Sequence, residues 1–150
     1  MNHRGEFWVL AQFLLLALLF LVPYNDPAWP FPAVFLATGV LLMACSIGFV
    51  LWSGTTLGRM FTPFPRPLPN GELVTTGAYR LVRHPMYFAA IVGPLGLALA
   101  TSSWLRLGIT LALAVFFDQK ARREERWLRQ AYAGYAAYAQ RVRRLVPGVY

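Results

Sequence analysis

Residues 33–52 are twenty consecutive positions without a charge, and they restrict this chain more than any other feature. A run of that length matches the roughly 20 apolar residues that a helix needs to cross a bilayer. Residues 7–22 form a second uncharged run, and residues 87–102 and 104–117 form two shorter ones, interrupted by Thr101-Ser102-Ser103 and by Arg106. Of 150 residues, 57% are hydrophobic and 13% charged, where soluble domains carry roughly 45–50% and about 25%. A chain this small cannot hide so much apolar surface in a water-soluble core. The same hydrophobicity excludes disorder, and a single cysteine, Cys45, excludes a disulfide scaffold. The expected fold is an all-α integral membrane protein, one domain over residues 1–150. It has four transmembrane helices at 7–22, 33–52, 87–102 and 104–117, the last two forming a short hairpin, and then a C-terminal amphipathic cytoplasmic helix and tail at 118–147.

Charge orients these spans. The net charge is +8, from 14 Lys and Arg against 6 Asp and Glu. The Pro-rich connection 23–32 has no basic residue, and the turn between the last two runs has only Arg106. All the others lie before the first run, between 53 and 85, or after Phe117. The positive-inside rule then puts both termini and the loop 53–86 in the cytoplasm, in a multi-pass protein of the inner, cytoplasmic membrane. Basic residues beside spans also touch anionic lipid headgroups. Nucleic-acid binding would want a soluble basic face, which this chain lacks. Arg4 and the first run fit a secretory leader, but Val22-Pro23-Tyr24-Asn25 offers no small-residue cleavage site, so a retained first helix is expected. A transporter is disfavoured, because the spans lack the intramembrane charges that mark a translocation path.

The loop 53–86 is the most irregular segment. Prolines at 63, 65, 67 and 69 forbid helix and favour an extended path. Asn70-Gly71 signals a turn, and residues 72–76 read as a short extended piece. Long loops without regular structure tend to be functional. This one ends in Arg83-His84-Pro85-Met86-Tyr87, where Pro85 suits the first turn of a helix. The free N–H groups of that helix end favour a nearby carboxylate. Two readings stand for these residues. Arg83 is an interfacial anchor, His84 a helix-start hydrogen bonder and Tyr79 and Tyr87 belt aromatics, or all four belong to a site.

Residues 118–144 read as one long helix with a weak point at Gly134. Ala121, Leu128, Tyr132, Tyr135, Ala139, Val142 and Val146 form a stripe at steps of three and four, with Glu125 in register and Glu124 on its flank. A carboxylate on the buried side of such a helix is costly without a partner. Either Arg122, Arg123 and Arg126 neutralise it in the headgroup layer, or it receives a ligand.

These pieces together resemble the isoprenylcysteine carboxyl methyltransferase family, whose C-terminal half the related phospholipid N-methyltransferases share. The matching block is Gly71-Glu72-Leu73-Val74-Thr75-Thr76-Gly77-Ala78-Tyr79, then Arg83-His84-Pro85-Met86-Tyr87, then Glu124-Glu125 with Leu128, and a tail of Tyr135, Tyr138, Val142 and Pro147. The resemblance covers roughly residues 55–147. It implies S-adenosylmethionine bound in a compact site at the cytoplasmic membrane face, lined by Leu73, Val74, Tyr79, His84, Pro85, Met86, Tyr87 and Glu124. Lys120, four residues before Glu124, stands where the family's substrate-contacting arginine is usual. Ala89 and Ala133 stand where the family often has glycine, and one residue is missing between Tyr132 and Tyr138.

The implied reaction transfers methyl to a lipophilic small molecule, by resemblance the carboxylate of an isoprenylcysteine-like substrate. A carboxylate needs no base. An amine or thiol acceptor, the alternative, does, and His84 or Glu125 would serve. Arg83, beside His84 at the same helix end, completes the catalytic candidates. Partners are that substrate and membrane lipid, with no nucleic acid. No metal is expected, since His3 and His84 are far apart in sequence. The rival of another class is a non-catalytic membrane subunit that docks a partner through its C-terminal helix.

Overall fold

The computed structural model describes residues 6–23, 29–60 and 71–150. Its regular elements are helical: α1 Glu6–Leu21, α2 Pro32–Leu57, α3 Pro85–Ala100, α4 Trp104–Ala131 and α5 Tyr135–Arg141, with 3-10 turns at Gly58–Met60 and Gly77–Arg80. The prolines at 63, 65, 67 and 69, and the Asn70 half of the expected turn, lie outside the described residues. The long helices touch in the order α1, α4, α3, α2. α2 and its 3-10 extension, Pro32–Met60, are long and apolar enough to cross a membrane, and α1 and α3 are shorter apolar helices. The outward faces of α1, α2 and α4 are strongly apolar: Phe20 is 77% exposed, Leu41 62% and Val115 64%.

Two boundaries differ from expectation. α2 continues to Leu57 instead of ending at 52. Nothing in residues 53–57 breaks a helix except Gly54, and the hydroxyls of Ser53 and Thr56 bond back to the carbonyls of Phe49 (2.5 Å) and Trp52 (2.7 Å). The helix stops where Gly58 takes φ 53°, a left-handed geometry that glycine adopts without steric cost. The second difference is at residue 117, where the fourth span and the C-terminal helix were expected to be separate. They are one 28-residue helix, α4, because Phe117-Asp118-Gln119-Lys120 holds no breaker. The expected weak point is instead a full break. α4 ends at Ala131, and the chain turns through 132–134 before α5 starts.

The α2–α3 seam is built from small residues. Gly39, Ser46 and Ser53 are the buried positions of α2, seven apart, and so share one face. Ser46 Oγ donates to the Ala89 carbonyl at 2.8 Å. A side chain on Gly96 would come within 2.9 Å of the Met43 backbone nitrogen. Small residues permit this closeness, and in apolar surroundings close packing is what holds helices together. Ala89 itself is 1% exposed. On the other flank, Leu19 and Val22 pack with Ile109, Leu113 and Phe117.

Arg106 sits 2% exposed among these apolar residues. Its Nε donates to the Leu19 carbonyl at 3.1 Å, Nη2 to the Val22 carbonyl at 2.9 Å and Nη1 to Thr101 Oγ1 at 3.1 Å. The last carbonyls of a helix have no intrahelical partner; this guanidinium satisfies that of Leu19 in α1 and that of Val22 just beyond it, tying the end of α1 to the α3–α4 turn.

Candidate functional site

Three chain segments converge where α3 begins. His84 is the N-cap of α3 and Pro85 its first residue, as the missing N–H of proline favours. The His84 side chain makes no capping bond, so its imidazole is turned to other work. The C-terminal tail runs beside this entrance. Val82 and Arg143 form a parallel bridge, with the Arg83 N–H donating to the Arg143 carbonyl at 2.8 Å and the His84 N–H to the Arg144 carbonyl at 3.1 Å. α4 brings Glu124 and Glu125 to the same place.

Glu125 is the anchor. It is 2% exposed, and Arg83 Nε and Nη2 both lie 2.8 Å from its Oε1. Arg144 adds a second grip, with Nε to Oε1 at 3.1 Å and Nη2 to Oε2 at 3.2 Å. His84 Nε2 stands 3.3 Å from the same Oε1. Burial alone would raise the Glu125 pKa. The His84, Arg144 and Arg83 contacts outweigh burial and hold it well below the carboxylate range. Arg83 also donates through Nη1 to the Ala139 carbonyl at 3.0 Å and to the Val142 carbonyl. One guanidinium therefore welds the start of α3 to α4, α5 and the tail.

Glu124 differs from its neighbour. Its carboxylate accepts from the Tyr87 hydroxyl at 2.6 Å, with His84 Nδ1 at 3.8 Å. Its side chain keeps 22% exposure. Burial pushes its pKa up, against the opposing pull of His84, Tyr87 and Lys120. Arg122 and Arg123, two of the three arginines expected to neutralise it, are engaged elsewhere. Arg122 bonds Asp118 at 2.7 Å, and Arg123 lies over the Trp127 ring. Two adjacent glutamates thus take different roles, one locked in a charge cluster and one at an opening.

That opening is a cleft that stays partly open to solvent. All eight residues expected at a cofactor site line it: Leu73 and Val74 from the loop, Tyr79 from the 3-10 turn, His84, Pro85, Met86 and Tyr87 from the α3 entrance, and Glu124 from α4. Arg83 also reaches its wall, while Glu125 lies behind the wall, and Lys120 stands outside it, bonded to Gln12. Residues 72–76 pair with no strand among the described residues. Gly77 is required at their end. Its φ is +56°, and a side chain there would strike the Thr56 hydroxyl at 2.5 Å.

Sequence reasoning missed part of the wall. Leu57 and Met60 enter from the end of α2 and were hidden by placing the helix end at 52. Tyr132, Tyr135 and Tyr138 form another side. Tyr135 and Tyr138, stripe and tail residues in the sequence, are 1% and 4% exposed. The Tyr138 hydroxyl donates to the Tyr79 carbonyl at 2.5 Å, holding α5 against the loop. Spacing by three from Tyr132 was the available signal.

The apolar helical array thus carries an acidic, tyrosine-rich cleft where α3 begins and α4 brings in Glu124. The family model described as phospholipid methyltransferase matches residues 34–134. The chain belongs to this family. It is 33% identical over 149 residues to the cobalt-zinc-cadmium resistance protein CzcN of Cupriavidus metallidurans, covering 97% of this chain and 64% of that protein. It is 35% identical over 96 residues to a probable protein-S-isoprenylcysteine O-methyltransferase of Oryza sativa (indica), covering 61% of this chain and 50% of that protein. A protein-S-isoprenylcysteine O-methyltransferase B of Arabidopsis thaliana is 34% identical over 99 residues, 63% of this chain and 50% of the relative. The chain therefore spans about two thirds, or half, of the length of these curated relatives.

Proposed function

We propose that this protein is a methyltransferase that uses S-adenosylmethionine to methylate a small lipophilic acceptor. The observation that carries the reading is the Tyr87–Glu124 hydrogen bond of 2.6 Å inside an aromatic cleft. The residues fit the cofactor. Tyrosine faces attract a sulfonium as they do other cations. Glu124 accepts from amino or ribose hydroxyl groups, and the α3 N-terminus favours a carboxylate. When bound, the cofactor supplies an electrophilic methyl group.

The chain's own contribution is alignment. Holding nucleophile and methyl in line removes much of the barrier without covalent help. Arg83 and Glu125 keep the α3 entrance and the tail together, so the cleft wall does not shift as ligands enter. The acceptor, by family resemblance, is the carboxylate of an isoprenylcysteine-like molecule. Amine or thiol acceptors are the alternative, and His84, with Nδ1 3.8 Å from Glu124, would then take the proton.

The proposed topology has four spans in the inner membrane: α1, the body of α2, α3 and the first half of α4. Both termini and the cleft face the cytoplasm, as the basic residues favour. The resistance relative CzcN matches 97% of this chain, and the nickel-cobalt-cadmium resistance protein NccN of Alcaligenes xylosoxydans xylosoxydans does so as well at 31% identity. Their names leave the acceptor open and bear on no residue of the cleft.

Calorimetry with S-adenosylmethionine on purified protein in detergent tests the reading. Wild type is expected to bind, and His84→Ala or Glu124→Ala to weaken binding tenfold or more. Absence of heat with wild type, or equal affinity in both variants, favours the rival in which the C-terminal helix merely docks a partner.

A further inference from the structure

Gln12 is the one polar residue in the run 7–22. An amide in apolar surroundings is costly unless it is bonded. Its Oε1 accepts from Lys120 Nζ at 2.6 Å, across from α1 to α4. Lys120 is 1% exposed, and its ammonium lies 5.0 Å from the centre of the Tyr87 ring. Tyr87 in turn donates to Glu124, one turn beyond Lys120 on α4. Tyr87 and Glu124 line the cleft and Lys120 is not among its lining residues, so the ammonium bears on the cleft through those two.

We infer that Gln12 and Lys120 form a positioning pair: Gln12 seats the Lys120 ammonium against the Tyr87 ring, and the ammonium holds the Tyr87–Glu124 bond in the geometry that receives the cofactor. The inference rests on the proposed cofactor reading. It gives α1 a part in the site although α1 precedes the family-matched stretch at 34–134. The choice of amide is chemically apt. A neutral acceptor fixes the ammonium without cancelling its charge, whereas a carboxylate at position 12 would compete with Glu124 for it. A substrate contact, the role implied by resemblance, would instead require Lys120 at the cleft surface.

Among the described residues, the groups facing Lys120 are neutral Gln12 from α1, Tyr87 from α3 and Glu124 on α4. Burial lowers the Lys120 pKa to about 8, against the upward pull of Glu124. The ammonium therefore loses its proton as pH rises through that value, whereas an arginine would stay charged. The test is binding of S-adenosylmethionine to the full chain in detergent, for wild type, Gln12→Leu, Lys120→Met, the double variant and Lys120→Arg.

The expected result is a loss of about tenfold for each single variant, with no further loss in the double, because coupled partners are not additive. Lys120→Arg should restore affinity to within about threefold. Wild-type affinity should fall between pH 7 and pH 9, centred near the value for Lys120 of about 8, and Lys120→Arg should lack that component. The ligand's own titration is common to both proteins and cancels in the comparison. Wild type without binding overturns the cofactor reading itself. Binding by wild type with unchanged affinity in Gln12→Leu and Lys120→Met, or the same pH fall in Lys120→Arg, overturns the positioning pair alone. Should Lys120→Met fail to fold, the pH comparison between wild type and Lys120→Arg decides.

Discussion

Replacing Glu125 by glutamine preserves the shape of the side chain and removes the charge that two arginines share. Arg83 and Arg144 lie 2.8 to 3.2 Å from its oxygens, and its side chain is 3% exposed. Removing one partner of a buried ion pair costs about 3–5 kcal/mol, since it leaves charge uncompensated in a poorly solvated place. The amide oxygen still accepts one bond, so the low end, about 3 kcal/mol, is expected. For a chain of this size each kcal/mol moves the midpoint by roughly 2–4 °C, so a drop on the order of 10 °C should appear in thermal unfolding followed by circular dichroism in detergent at pH 7. The sign with pH follows from the lowered Glu125 pKa. Its stabilisation is present above the unfolded carboxylate value of about 4.3 and is lost as pH falls below it. The gap between wild type and Glu125→Gln should therefore narrow on acidification. Equal midpoints at pH 7, or a gap that widens in acid, would refute the assignment of Glu125 as the electrostatic anchor.

Two further outcomes concern the scaffold. Gly96→Leu forces a side chain against the Met43 backbone, which already lies within 2.9 Å of where its first carbon would sit. It should cost at least about 1–3 kcal/mol, the usual penalty of overpacking, read as a lower unfolding midpoint, while the milder Gly48→Ala, with open space around it, should leave the midpoint within about 0.5 kcal/mol of wild type. Arg106→Leu strips the donors from the Leu19 and Val22 carbonyls and should destabilise by about 1–3 kcal/mol for each carbonyl left unpaired, visible as faster amide exchange at the α1 C-terminus.

Much of the scaffold could be read before any coordinates. The apolar runs are long relative to anything else in the chain, so periodic burial hardly matters to finding them, and the four long helices fall close to those runs. Pro85 marked the start of α3, because a missing N–H costs nothing in a first helical turn. The Arg-His-Pro-x-Tyr entrance and the Glu124-Glu125 pair pointed to one site through the family resemblance, since each residue taken alone reads as well as an interfacial anchor, a helix-start hydrogen bonder or a headgroup contact.

Other features depended on the fold. Sequence could not separate Glu124 from Glu125. They are neighbours with one chemistry, and which is locked between arginines and which faces the cleft depends on the rotation of α4 against the start of α3. Arg144 and Tyr138 reach the site only because the break at 132–134 sends α5 back along the loop. Lys120 is buried through Gln12, 108 positions away in sequence. Composition and hydropathy act through each residue alone or its near neighbours, and so they determined the helices and the membrane character. Partnerships among buried charges are set by distances between segments remote in the chain, and only the packed structure decides those.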